Sequence, residues 1–306
     1  MGRYKKIFTE DLDGNIEQVG TLKSTEGIKI VKNLSDKQLE VIKEKKELKE
    51  YSKQLGGFIH LMYIKNELLF TGLGLDRSNI SRLIYLATYI DYNDREENVL
   101  IDYESNNKIK YLSRKDIKKL MGLSDSTFNR FMTDLKEHEL LYEANGKFYI
   151  TNKYFSKGKS SFDKKSYTRV YISTTRKLYK SCSSRMHKKL SYVYQLTPFI
   201  NYQTNVLCSN PDEHDTDKLN KLGLKDICEI LELSDNPKAI FKFEQDLYKI
   251  TFIVNDKKHY MFSRVIVKGG NGHNDYFVVN PMILYCGSNV GKIKETISWL
   301  YFKEKK

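Results

Sequence analysis

Apolar residues recur at helical spacing in two stretches of the chain, and the patterns around the second define a compact motif. Over residues 76–91, Ile80, Leu83, Ile84, Ala87 and Ile90 fall on one helical face. Over 125–137, Phe128, Phe131, Met132 and Leu135 make the i, i+3, i+4, i+7 series that buries one side of a helix. Just before it, Ser113 is placed to cap a short helix over Arg114–Met121, and Gly122 can end that helix in the left-handed conformation. Ser124 or Asp125 then caps the next helix. A strand pattern follows over Leu141–Ala144 and Lys147–Thr151, joined by Asn145 and Gly146, whose positive φ tolerance suits a two-residue hairpin turn. Helix, helix, short turn, helix and hairpin, in that order, spell a winged helix-turn-helix.

The flanking segments are simpler. Asp13-Gly14 marks a turn in a polar opening stretch, and Ser35 caps a Lys- and Glu-rich helix reaching about Leu55, with Leu39, Ile42 and Leu48 as sparse apolar anchors. Gly56-Gly57 ends it before an aromatic-rich run, Phe58 to Phe70; Asn98 to Tyr103 is short and β-like.

The same layout then returns. Ile90-Asp91-Tyr92 is echoed by Ile200-Asn201-Tyr202, Asn98-Val99-Leu100 by Asn205-Val206-Leu207, Lys115-Asp116-Ile117 by Lys225-Asp226-Ile227, and Leu123-Ser124-Asp125 by Leu233-Ser234-Asp235. In the last helix Phe128, Phe131 and Leu135 match Ile240, Phe243 and Leu247, the register having moved by two residues at Asn236-Pro237. Duplication of one domain explains four echoes in the same order. A longer hairpin is expected at the end of the second copy, with strands near Lys258–Lys268 and Tyr276–Val279 joined through Gly269 to His273, then a closing helix over 289–302 carrying Trp299. The fold class expected is α+β, mainly helical, with two tandem winged helix-turn-helix domains and small hairpin wings. The divisions are 1–55 (polar segment and charged helix), 56–155 (first domain), 156–167 (basic, Ser- and Gly-rich linker) and 168–306 (second domain with closing helix).

Charge adds a partner to this picture. Among 306 residues Lys and Arg outnumber Asp and Glu by 52 to 39, a formal charge of +13, which favours a polyanion such as nucleic acid or an acidic membrane face. No run approaches the roughly 20 apolar residues of a spanning helix, and the N-terminus lacks a signal peptide's apolar block. Cys182, Cys208, Cys228 and Cys286 form no C-x-x-C pair, as reduced thiols of a cytoplasmic protein would. The loop Gly287 to Ile293 has one residue too few between its glycines for a phosphate-binding loop and lacks its Ser or Thr. His214 and Asp215 read as part of an acidic solvated loop rather than a metal site. No enzyme, metal or cofactor is expected.

The second helix of a helix-turn-helix offers its outward residues to the major groove. With the apolar series inward, Ser126, Thr127, Asn129, Arg130 and Thr133 are the candidate base contacts. Arg130 suits a guanine edge and Asn129 an adenine edge, each worth about 1–3 kcal/mol of discrimination. Candidate backbone contacts are Arg114, Lys115, Lys118 and Lys119 on the preceding helix, Lys147 at the first wing, and Lys157, Lys159, Lys164 and Lys165 in the linker. The second copy adds Lys238, Lys242 and Lys268, with Glu244 and Asp246 expected to oppose base reading on its helix.

The blocks Leu112 to Phe131 and Tyr149 to Gly158, with Phe277 to Gly287 ending the second copy, resemble winged-helix proteins of plasmids and phages of low-GC Gram-positive bacteria. Two such domains on one chain are similar to plasmid initiators that bind repeated origin sequences, one domain per half of the site. The resemblance implies double-stranded DNA as partner, a nucleoid-associated location, and recruitment of host replication or transcription proteins. It leaves homodimerisation open. An origin-binding initiator, an operator-binding regulator and a protein-interaction adaptor are the three functions it leaves standing.

Overall fold

The computed structural model describes residues 4–10, 16–23, 35–92, 96–158, 166–266 and 275–299. The chain divides into two compact units, 1–46 and 47–306. The first contains the antiparallel hairpin of β1 (Tyr4–Glu10) and β2 (Ile16–Lys23), with a register shift at Ile7/Phe8, and the opening turns of α1 (Asp36–Gln54).

In the second unit, α1 ends at Gln54, and Leu48 on its last turns and Leu55 just beyond it are both buried. Gly56 there has φ +77°, and a Cβ on it would overlap the Ser173 side chain, so only glycine lets the chain turn this closely. The elements that follow are β3 (Phe58–Tyr63), α2 (Arg77–Ala87), β4 (Ile101–Tyr103), β5 (Ile109–Tyr111), α3 (Arg114–Met121), α4 (Asp125–Glu137), β6 (Leu141–Ala144), β7 (Lys147–Ile150) and β8 (Phe155–Ser156). Then come β9 (Ser166–Tyr171), α5 (Ile172–Ser181), α6 (His187–Gln195), α7 (Leu224–Ile230), α8 (Pro237–Leu247), β10 (Thr251–Val254), β11 (Lys257–Tyr260), β12 (Phe262–Val265), β13 (Tyr276–Val279), β14 (Leu284–Tyr285) and α9 (Val290–Trp299). The fold is α+β, built of helices and several small antiparallel sheets.

The largest sheet is shared between the halves of the chain. Its strand order is β14-β9-β3-β8, all antiparallel. The register is symmetric about the pair His60↔Arg169: Leu61 faces Phe155 on one side as Val170 faces Leu284 on the other. Met62 N–H donates to the Tyr154 carbonyl (2.8 Å), and Tyr171 N–H donates to that of Ile283 (3.0 Å). The same approximate two-fold relates α2 and α6, which cross at Ser81 and Ser191; both are buried, and Ser81 N–H donates to Ser191 Oγ (3.1 Å). Small residues at the crossing let the two helices approach closely.

Beyond the sheet several hydrogen bonds recur in the two halves. Asn98 and Asn205 both sit at positive φ (56° and 57°), and both side chains donate to a strand carbonyl, Phe155 at 2.8 Å and Leu284 at 2.6 Å. Leu100 N–H bonds Phe148 O as Leu207 N–H bonds Phe277 O, and Leu112 N–H bonds Leu100 O as Leu222 N–H bonds Leu207 O. Thus β6–β7 corresponds to β12–β13. One continuous apolar core runs through both halves, including Leu83, Tyr85, Phe131, Val170, Tyr194, Phe243 and Leu284. Helix α5 braces it from between: Tyr179 Oη donates to Met121 O (3.1 Å) and Ser181 Oγ to Thr251 O (2.6 Å).

Two expectations need correction. The linker expected over 156–167 begins and ends as strand, with Ser156 buried in β8 and Ser166-Tyr167 in β9, because both edges of that segment complete the shared sheet. The strand expected over Lys258–Lys268 is two strands: β11 closes on β10 through Asn255 and Asp256, both at positive φ, while β12 pairs with β13. An inserted hairpin thus separates α8 from the strands that match β6 and β7.

Candidate nucleic-acid interface

Local chemistry sets the angle between α3 and α4. Ser113 caps α3 in a reciprocal box with Asp116: Asp116 N–H donates to Ser113 Oγ (3.2 Å) and Ser113 N–H to Asp116 Oδ2 (3.1 Å). Hydrogen bonds from Lys110 and then Ser113 hold the Asp116 carboxyl down to about 2. Gly122 closes α3 at φ +61°, its N–H reaching Lys118 O (3.2 Å). Two residues later Ser124 caps α4, its Oγ accepting from Thr127 N–H (3.4 Å) and donating to Thr127 Oγ1 (2.9 Å).

Phe128, Phe131, Met132 and Leu135 are all buried, which fixes the rotation of α4. Ser126, Asn129, Arg130 and Thr133 are exposed and Thr127 is half-buried. Arg130 donates to Ser126 Oγ (3.4 Å) one turn back. Arg114 lies 5.2 Å above the Phe128 ring and donates to Asn129 Oδ1 (2.9 Å). Asn129 must exchange that bond to face an adenine edge with both its amide groups.

A polar chain, buried except at its Asp134 end, anchors α4 from behind. Asp134 accepts from Asn79 Nδ2 and from Asp76 N–H (3.3 Å), Asn79 Oδ1 accepts from Arg82 Nη1 (2.7 Å), and Arg82 Nε donates to His187 Nδ1 (3.3 Å). The chain thus links α4 through α2 to α6. Burial, then the charge of Arg82, pushes His187 down to about 4, so it is neutral at pH 7 and can accept. Burial also lowers Arg82, and repulsion from the outward Arg130 adds to this.

The other candidates divide. Lys115 and Lys119 are exposed on α3, and Lys118 forms an ion pair with Asp125. Lys147 stands beside the Asn145-Gly146 turn of the hairpin but does not project freely from it: its ammonium binds Glu96 and lies 4.0 Å above the Tyr111 ring. Lys157 is likewise turned inward, donating to Ile90 O (2.9 Å), and burial lowers its pKa. Lys159, Lys164, Lys165, Lys268 and His273 lie outside the described residues. His214 is exposed beside Tyr202, and no group of three His, Cys, Asp or Glu suited to a metal occurs among the described residues.

Helix α8 is built like α4. Asn236 caps it, Oδ1 accepting from Lys238 N–H (2.9 Å), with Pro237 at its first position. Phe243 and Leu247 are buried, while Lys238, Ala239, Phe241, Lys242 and Gln245 are exposed. The acidic residues expected to oppose reading do not face out. Glu244 is buried, accepting from Tyr248 Oη (2.7 Å) and Arg264 Nη1 (3.2 Å), and Asp246 pairs with Lys249 (3.0 Å) and Lys189 (3.3 Å). The sequence reading missed Phe241; the register that pairs Phe131 with Phe243 also pairs Asn129 with Phe241 and would have found it. Comparison with protein-family models, with characterised proteins and with solved structures finds no match for this chain.

Proposed function

We propose that this chain is a sequence-specific double-stranded-DNA-binding protein made of two winged-helix modules, α3–α4–β6–β7 and α7–α8–β12–β13, fused across a shared sheet. The observation that carries the reading is the α4 surface: an exposed polar face of Ser126, Asn129, Arg130 and Thr133 on a helix held from behind by Asp134 and started by a three-residue turn. That is the arrangement by which a second helix reads base edges while the first meets phosphate. Exposed Lys115 and Lys119 on α3 suit the phosphate role.

Within this reading the protein acts as an origin-binding replication initiator of a plasmid or phage, with host replication proteins as further partners. An operator-binding regulator is the alternative. It differs by where the sites lie: repeated near a replication start, or single at promoters. The test of base reading is Arg130→Ala. Its affinity should become indifferent to one base pair of the preferred site, a loss of about 1–3 kcal/mol of discrimination. An unchanged preference at every position would place base reading elsewhere.

A further inference from the structure

The two outward faces differ most at their centres. Aligned by buried positions, Ser126, Asn129, Arg130 and Thr133 of α4 correspond to Lys238, Phe241, Lys242 and Gln245 of α8. Phe241, in the place of Asn129, is 62% exposed. A phenyl ring can neither donate nor accept for a base edge, and leaving it in water forgoes the gain of apolar burial. Lys238, one turn before it, and Lys242, next to it, are exposed cations. Glu244 and Asp246 of the same helix are withdrawn onto Arg264, Tyr248, Lys189 and Lys249. The face is therefore apolar at its middle, cationic around it and free of outward acid.

A protein partner would have to supply acids for both lysines around an apolar pocket. A duplex supplies phosphates for the lysines, and the 5-methyl of thymine is an apolar group at the major-groove edge that a Phe can contact. Gln245, one turn after Phe241, suits the adenine of such a pair. We propose that Phe241 is a specificity-determining residue that reads a thymine methyl, so that the second module prefers an A·T-bearing half-site unlike that of the first. The proposal rests on the duplex-binding reading above.

Deoxyuridine tests it, since it pairs as thymidine does but lacks the methyl. The full chain is used to enrich duplexes from a random-sequence pool, and each thymidine of the enriched duplex is replaced in turn by deoxyuridine. At one or two thymidines within one half of the site, affinity should fall about four-fold, the worth of one buried methyl. Phe241→Ala should bind the thymidine and deoxyuridine duplexes alike while keeping the salt dependence of the unaltered chain, and Phe241→Leu should retain part of the preference. Two results would overturn the assignment while leaving duplex binding in place: no thymidine sensitive to replacement, or a Phe241→Ala variant as sensitive as the unaltered chain. Failure to enrich any duplex would instead remove the duplex-binding reading, and this proposal with it.

Discussion

Asn129 and Phe241 occupy matching places on helices of the same build, so what separates the two faces is side-chain chemistry rather than backbone. The same holds for the lysines of α3. Lys115 and Lys119 stand exposed, and if they meet phosphate, changing either to Ala should weaken binding to all duplexes alike and reduce the salt slope by about one; a base-specific effect would contradict that role. Residues facing inward carry a different prediction. Burial lowers His60 and His187 to about 4, against 6.5 in the unfolded chain. Between those values the unfolded chain binds more protons, so stability is full above about pH 6.5 and falls as pH drops toward 4. The urea midpoint should therefore decline from about pH 7 to pH 5, and His187→Gln should flatten part of that decline. A midpoint constant across this range would mean that neither imidazole is buried neutral.

At the scale of elements, the α3–turn–α4–hairpin stretch was legible because each part carries its own local signal: Ser113 and Ser124 as caps, Gly122 as stop, the apolar series of α4, and Asn145-Gly146 as turn. Gly122→Ala should cost about 1 kcal/mol by thermal melting, since φ +61° burdens any Cβ. Leu135→Ala, at a fully buried site, should cost about 2–5 kcal/mol, whereas Thr133→Ala on the exposed face should change stability by no more than about 0.5 kcal/mol. The central sheet was not legible. Its outer strands, β8 and β14, are two residues long, too short for any alternation, and its pairing joins residues about a hundred positions apart. Helix α6 was missed because it is buried along almost all of its surface and so lacks an amphipathic stripe, and α5 because its buried stripe runs through Thr174 and Thr175 beside Leu178 and Tyr179, polar residues that an apolar pattern passes over. The Asp134–Asn79–Arg82–His187 chain was hidden because polar residues on a helix read as its solvent face until the partner helix is known. On the same ground Lys147 and Lys157 read as solvated lysines, whereas each has a partner within the chain, Glu96 and the Ile90 carbonyl.

For the whole molecule, sharing one sheet and one core has a consequence for folding. Residues 47–306 should unfold in a single calorimetric transition, because neither half keeps its sheet or the α2–α6 contact alone; two separate transitions would show the halves to be independent. The functional claim also belongs to this scale, since a net charge of +13 favours polyanions in general but a reading surface must hold a duplex at defined phosphates. The most direct measurement is the affinity of the full chain for an enriched duplex across a series of salt concentrations. Release of counterions from several neutralised phosphates should give a steep, linear fall of log affinity with log salt, of order 0.9 per phosphate contacted, with unrelated duplexes bound at least about a thousand-fold more weakly. Affinity that ignores salt, or that is equal for every duplex, would contradict the claim.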